Sequence, residues 1–253
     1  MLTLKKNDKI MYNDKYNLLS PEANDTSNIN NFLDQQRIKL SEGVYALTIT
    51  MTDKNSEDHS YDVTETITVQ FPEDKITVSD IELIDTYKTS ATENNYSKNG
   101  YELIPFIRNF FGASDKTLTF YVEFYNTDKI LGDNPWLIYY YITQYNKKEI
   151  VSDLTGFSRQ QSVPLKGYLA QIPLSTLNSG NYELNVEVKS KSNEVLASKK
   201  LFFQRSSGNA ADEYKVQDSD IASSFVASYT NKDSLKEYLN CLYPTANTSE
   251  KQY

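Results

Sequence analysis

One pattern is written twice in this chain, as "LSEGVYALTITM" at 40–51 and as "LNSGNYELNVEV" at 177–188. In the first copy Tyr45, Leu47, Ile49 and Met51 fall at every second position, and Tyr182, Leu184, Val186 and Val188 match them in the second. A period of two sustained over that length predicts a strand with one face buried. Each copy also places a glycine two residues before the tyrosine, Gly43 and Gly180, where a tight turn calls for positive φ. The unit is therefore a corner followed by a strand. In sandwich folds a tyrosine at that position bonds back across the corner, and a hairpin to the last strand follows. Tyr45 and Tyr182 suit that role.

The continuation repeats too. "DKNSEDHSYD" is a polar hairpin leading into "VTETITVQF", and "SKSNEV" leads into "LASKKLFFQ". The fold class this predicts is mainly β: two consecutive immunoglobulin/fibronectin-like β-sandwich domains, at 1–76 and 77–206, followed by a short helical C-terminal tail at 207–253. The second domain has a full complement of strands, predicted at 79–88, 101–109, 117–126, 135–145, 148–159 and 163–173 ahead of its repeat hairpin. Upstream of Leu40 there is room for only two or three strands, so the first domain is expected to be missing N-terminal strands. In the tail, a polar linker "SSGNAADEYKVQDSD" precedes Ile221, Phe225 and Tyr229 at helical spacing. "TNKDSLKEYLNCL" follows, with Thr230 or Asn231 as cap, Leu235, Tyr238, Leu239 and Leu242 on one face, and Pro244 as stop. These two short helices need a surface to cover, either the second sandwich or a further C-terminal domain.

Composition narrows the function. A net charge of −8 and an isoelectric point near 4.8 provide no basic stripe, so no nucleic-acid partner is expected. Cys241 is the only cysteine, which rules out an intramolecular disulfide framework. No apolar run reaches membrane-spanning length, and "MLTLKKNDKIMYNDKYNLLS" has no signal-peptide pattern.

Catalytic and metal motifs fare poorly. His59, the only histidine, sits in the loop "SEDHSYD", which leaves Ser-His-Asp, Cys-His and zinc sites without their parts. "DKNSED" spaces Asp53, Asn55 and Glu57 as a calcium loop does, but Asp58 stands where Gly is needed and Thr64 where a bidentate Glu belongs. The 34 acidic residues leave a carboxylate pair of the glycosidase kind open on any surface. Sequons occur at Asn24, Asn95 and Asn247. Trp136 opens a strand and reads as core. No catalytic residue, cofactor or metal ligand is assigned.

The 20 Tyr and 11 Phe direct attention to a surface. In "TLTFYVEFYN" the residues Leu118, Phe120, Val122 and Phe124 share one face; in "PWLIYYYITQY" Ile138, Tyr140 and Ile142 do. If these strands pair with those faces inward, Tyr121, Tyr125, Tyr139, Tyr141 and Tyr145 form one outward stripe. Tyrosine offers a large rigid area and a hydroxyl, so such a stripe suits a partner protein or stacking on sugar rings. Cross-strand pairing, or packing against the neighbouring domain, is the structural alternative.

The stretches "DKYNLLSPE" (14–22), "LDQQRIKLSEGVYAL" (33–47), "VSDIELI" (78–84), "SKNGYELIPFIRNFF" (97–111), "LTFYVEFYN" (118–126) and "LFFQRS" (201–206), with the second repeat, resemble Bacteroidetes proteins named for a C-terminal GWxTD motif. The resemblance implies a periplasmic or outer-membrane-associated protein of unassigned function, with sandwich domains ahead of a C-terminal helical domain. The naming motif itself is absent, since Trp136 lies in "DNPWLI". The expectation is a non-enzymatic interaction or scaffold module with a protein partner in the envelope, the alternative being a glycan-binding module that uses the Tyr-rich face.

Overall fold

The computed structural model describes residues 1–19, 22, 32–54, 60–208 and 231–236. It is mainly β. Residues 1–207 form one compact unit and residues 208–253 another. The first unit begins with β1 (Leu2–Lys6), β2 (Lys9–Asp14), β3 (Gly43–Thr52) and β4 (Ser60–Val69), which make an antiparallel sheet in the order β2-β1-β3-β4. β3 is the first repeat strand. Its register with β4 runs without interruption from Gly43↔Val69 to Thr52↔Ser60.

The rest of the unit is built from β5 (Thr77–Val78), β6 (Glu82–Thr89), β7 (Ser97–Lys98), β8 (Tyr101–Pro105), β9 (Phe110–Phe111), β10 (Thr117–Tyr125), the short helix α1 (Thr127–Leu131), β11 (Trp136–Gln144), β12 (Ile150–Gln160), β13 (Leu165–Pro173), β14 (Gly180–Lys189) and β15 (Val195–Arg205). One sheet runs β13-β10-β6-β8-β7, with β5 also on β10; the other runs β12-β11-β14-β15-β9. They pack face to face as a β-sandwich. Phe120, Phe124 and Leu83 from the first sheet and Trp136, Ile138, Leu184, Val186 and Phe203 from the second share one buried cluster. Burying each such side chain contributes about 1.5–3 kcal/mol, which makes this layer the main source of stability.

Both corners form as the repeat predicts. The Tyr45 hydroxyl donates to the Ser41 carbonyl at 2.8 Å, and the Tyr182 hydroxyl to the Asn178 carbonyl at 3.2 Å. Gly43 and Gly180 hold φ of +151° and +159°, a range that side-chain-bearing residues rarely adopt. In the tail, residues 232–236 are helical and the Asn231 side chain accepts the Asp233 N–H at 2.8 Å, the expected cap. The expected helical face with Tyr238, Leu239 and Leu242, the expected helix around Phe225, Cys241, His59 and the segment holding Asn55, Glu57 and Asp58 lie outside the described residues. No helix among the described residues is long and apolar enough to cross a membrane.

One expectation needs correction. β10 and β11 do not pair: they belong to opposite sheets and meet through their inner faces, with Phe120 edge-on to Tyr140 at 5.3 Å and Phe124 edge-on to Trp136 at 5.1 Å. With the aliphatic faces inward, Tyr121 and Tyr125 emerge on one outside of the sandwich and Tyr139 and Tyr141 on the other. The single stripe is two surfaces. Its physical origin is the chain crossing from one sheet to the other through α1, between the strands at Thr117–Tyr125 and Trp136–Gln144. Asn126 makes the crossing possible by adopting φ of +62°, which Asn tolerates better than most residues, while its amide donates to the carbonyls of Pro72 and Lys75.

Candidate functional site

The outer face of β10 is closed by the chain's own residues. Tyr121 is 1% exposed and packs in a small cluster with Ile84 and Leu103, flanked by Tyr101 and Leu169. Register explains the burial, since Leu169 lies directly across from Tyr121 on β13 and Gly167 lies across from Glu123. Any Cβ on Gly167 would come within 2.6 Å of the Tyr121 hydroxyl, so the bare glycine is what lets that hydroxyl reach Glu123. There Tyr121 donates to the carboxylate at 2.8 Å, Asn99 donates to it at 3.1 Å, and Tyr125 donates to its other oxygen. Burial, with the Glu123 charge adding to it, holds both phenols well above their ordinary range. Phe71 meets Tyr125 edge-on at 5.4 Å, which docks the stretch after β4 onto this face. Tyr121 and Tyr125 are therefore structural, the second use foreseen for sheet aromatics.

The outer face of β12-β11-β14-β15 differs. Register sets Tyr139 beside Phe157 on one side and Glu187 on the other, and Tyr141 beside Asn185. Tyr139 and Tyr141 lie against one another at 5.1 Å, and Tyr141 donates to Glu187 at 2.7 Å. The Tyr141 phenol is raised first by burial and then by that bond. Lys189 completes the row, with its ammonium 4.3 Å from the Tyr139 ring centre and 3.2 Å from Glu187. The second row repeats the scheme. Tyr145 meets Phe202 edge-on at 5.0 Å, Lys148 sits 4.3 Å over Tyr145, and Lys148 pairs with Glu183 at 2.9 Å. Beneath them, Asn185 is 2% exposed and donates to Thr143 at 3.1 Å.

This gives a pre-ordered layer of aromatic rings with charges fixed by neighbours, and Phe157 stands at its border with 75% of its surface exposed. Three of the five expected tyrosines, Tyr139, Tyr141 and Tyr145, meet here; Tyr121 and Tyr125 do not. Phe157, Phe202, Glu187 and Lys189 escaped the sequence reading. The signal for Phe157, Glu187 and Lys189 was present in the outward half of each alternation, Thr155-x-Phe157-x-Arg159 and Glu183-x-Asn185-x-Glu187-x-Lys189.

Other buried polar groups serve the framework. Arg205, 4% exposed, donates to the carbonyls of Gly112 and Asp115, and its burial lowers its pKa while Asp115 partly restores it. The sequon at Asn95 is tied down, its amide donating to the Gln35 carbonyl at 3.1 Å while Gln35 donates to the Asn95 carbonyl at 3.0 Å. Among the described residues no group of three or more His, Cys, Asp or Glu is placed to hold a metal ion.

No protein-family model and no curated protein matches the chain. Among solved structures, a DUF3823 family protein from Bacteroides ovatus aligns with 14% identity over 67% of this chain and 78% of its own, at a TM-score of 0.29. A β-glucosidase from Kluyveromyces marxianus aligns with 16% identity over 49% of this chain and 15% of its own, at a TM-score of 0.22. Both superpositions are too loose to bear on activity.

Proposed function

We propose that this chain is a non-enzymatic interaction or scaffold module, built from two immunoglobulin/fibronectin-like sandwich units in tandem, that binds a protein partner through the outer face of β12-β11-β14-β15. The observation that carries the reading is the ordered aromatic layer of Tyr139, Tyr141 and Tyr145, which ends in the exposed Phe157. Rigid aromatics already held by their neighbours lose little entropy when a partner covers them, which is what a binding hot spot requires. The repeated tyrosine corners support the tandem assignment. The resemblance to GWxTD proteins supports a periplasmic or outer-membrane-associated location in a bacterial envelope.

The glycan-binding alternative draws on the same face. Lysine ammonium groups already occupy one side of Tyr139 and of Tyr145, which favours the protein reading.

The test compares the chain with a Tyr139→Ser, Tyr141→Ser, Phe157→Ser version, both verified as folded by circular dichroism, in cross-linked capture from bacterial envelope extract. Loss of one specific protein from the triple variant, with its retention by a Tyr125→Ser variant, supports the reading. Equal retention by all three chains overturns the choice of face. A glycan panel that quenches tyrosine fluorescence only in the unaltered chain would favour the sugar alternative.

A further inference from the structure

The turn between β7 and β8 holds the only Asn-Gly pair in the sequence, Asn99-Gly100. Lys98 pairs with Tyr101 across it, so the loop is two residues long, and both residues have positive φ, +46° at Asn99 and +81° at Gly100. That is the hairpin turn for which Asn-Gly is the preferred filling. The pair also carries a reactivity. The backbone nitrogen of the residue after an asparagine attacks the side-chain carboxamide carbon, and glycine alone puts no side chain in the way. Asn99 and Gly100 are both exposed, and a Cβ on Gly100 would meet nothing within 4 Å, so no neighbour crowds the turn.

What restrains the reaction is the far end of the Asn99 side chain. Its amide nitrogen donates to the Tyr121 hydroxyl and, at 3.1 Å, to Glu123, whose carboxylate also accepts from Tyr121 at 2.8 Å and from Tyr125. The carboxamide is thereby held over β10 as part of that network. Gly167 on β13 makes the room, since a Cβ there would stand 2.6 Å from the Asn99 amide nitrogen. A carboxylate in the same place would reverse the arrangement. It has no hydrogen to give, so Glu123 loses a donor, and it sets a second negative charge beside the first. Lys98, the lysine of the turn, is already engaged by Glu82 at 2.6 Å.

We propose that Asn99 is a deamidation site, reached when the β7–β8 hairpin opens, and that its conversion to aspartate or isoaspartate releases that hairpin from β10. The Gly100 nitrogen bonds to the Asn99 side-chain carbonyl carbon, the bond from that carbon to the amide nitrogen breaks, and ammonia leaves with the Gly100 proton. One water then opens the cyclic imide at either carbonyl, giving aspartate or isoaspartate. No other reactant enters. Opening gates the step because the closed hairpin fixes the carboxamide on Tyr121 and Glu123. It breaks few strand bonds, since β7 is two residues long, ends its sheet and pairs with β8. Aspartate tolerates the same positive φ as asparagine, so the release follows from charge at Glu123 rather than from the backbone. The site lies on the outer face opposite the aromatic layer, and its test involves no partner.

The full chain and a free peptide of residues 97–101 are incubated side by side in mildly alkaline buffer, and peptide mapping follows Asn99. Conversion in the folded chain is expected to run about tenfold slower than in the peptide, and Gly167→Ala, verified as folded by circular dichroism, to speed it by about threefold by displacing the carboxamide. Asn99→Asp is expected to raise hydrogen exchange across 97–101, and Glu123→Gln in the same chain to cancel most of that rise. Conversion as fast as in the peptide, no conversion at Asn99 by the time the peptide is spent, or an unchanged rate in Gly167→Ala overturns the gated site. Exchange that Asn99→Asp leaves unchanged, or raises equally with Glu123→Gln present, overturns the release.

Discussion

The two copies of the corner motif share local structure and differ in what they face. On β14, Leu184, Val186 and Val188 are wholly buried against the opposing sheet; on β3, Leu47 and Ile49 are half-buried and Met51 is 59% exposed. The same alternation, glycine and tyrosine thus yield the same strand and hydroxyl bond whether or not a second sheet covers them. Local pattern determines the element, while burial is a property of the partner layer. The two tyrosines show this on a smaller scale. Tyr182 is buried against Phe203 at 5.7 Å, whereas Tyr45 is 1% exposed under the side chain of Lys6, whose ammonium stands 5.4 Å from its ring centre.

The largest test of that contrast is truncation at matched positions. Leu184→Ala empties a site with no exposure in the sandwich core and is expected to cost about 2–5 kcal/mol; Leu47→Ala, at a partly buried position, is expected to cost about 1 kcal/mol. Urea unfolding followed by Trp136 emission reports the first change cleanly, because that indole is 2% exposed in the same core as Leu184. Equal costs at the two positions would break the comparison and show that the first sheet acquires a covering layer in solution.

Removing the corner hydroxyls sharpens it. Tyr45→Phe and Tyr182→Phe each delete one bond to a backbone carbonyl and are expected to destabilise by about 1 kcal/mol. The Tyr45 change should be the larger, since its bond is shorter, 2.8 Å against 3.2 Å. The opposite ranking, read from urea midpoints, would mean that the first corner is held by Lys6 and its bond to the Glu42 carbonyl rather than by the tyrosine.

How much of this was legible beforehand follows from the same physics. The strands were, because period-two alternation and the paired glycines are local signals, and both hydroxyl bonds lie where the repeat places them. Which strands become neighbours was not. β10 and β11 both present aromatic outer faces, and nothing local in "YNTDKILGDN" states that the chain leaves one sheet for the other there. Tyr121 was therefore read as surface, although Leu169 and Leu103 bury it from strands distant in sequence. Phe157 was missed for the complementary reason: its exposure depends on β12 ending the sheet.

Alkaline titration reports on the buried tyrosines. Burial, with Tyr140 adding to it, pushes the Tyr168 phenol up to about 12, and burial also raises Tyr121, Tyr125 and Tyr141. A group whose folded pKa is raised keeps its full stabilising contribution below its unfolded value, near 10, and loses it as pH climbs through the folded value. Stability should therefore fall between about pH 10 and pH 12, with tyrosinate absorbance at 295 nm appearing in two steps, the second coincident with unfolding. Tyr141→Phe should reduce the second step; an unchanged second step would place Tyr141 among the freely titrating phenols.

The smallest expected effect is on the fold, at Phe157. Three-quarters exposed at the end strand of its sheet, this ring contributes little packing, and Phe157→Ser should move the urea midpoint by no more than about 0.5 kcal/mol in stability. That near-neutrality gives the substitution its value. Changes at Leu184 or Tyr182 confound folding with binding, whereas a side chain that holds nothing in place can lose a partner without losing the structure. A cost above about 1 kcal/mol would instead identify Phe157 as part of the Tyr139 packing layer and move the candidate contact inward to Tyr139 and Tyr141.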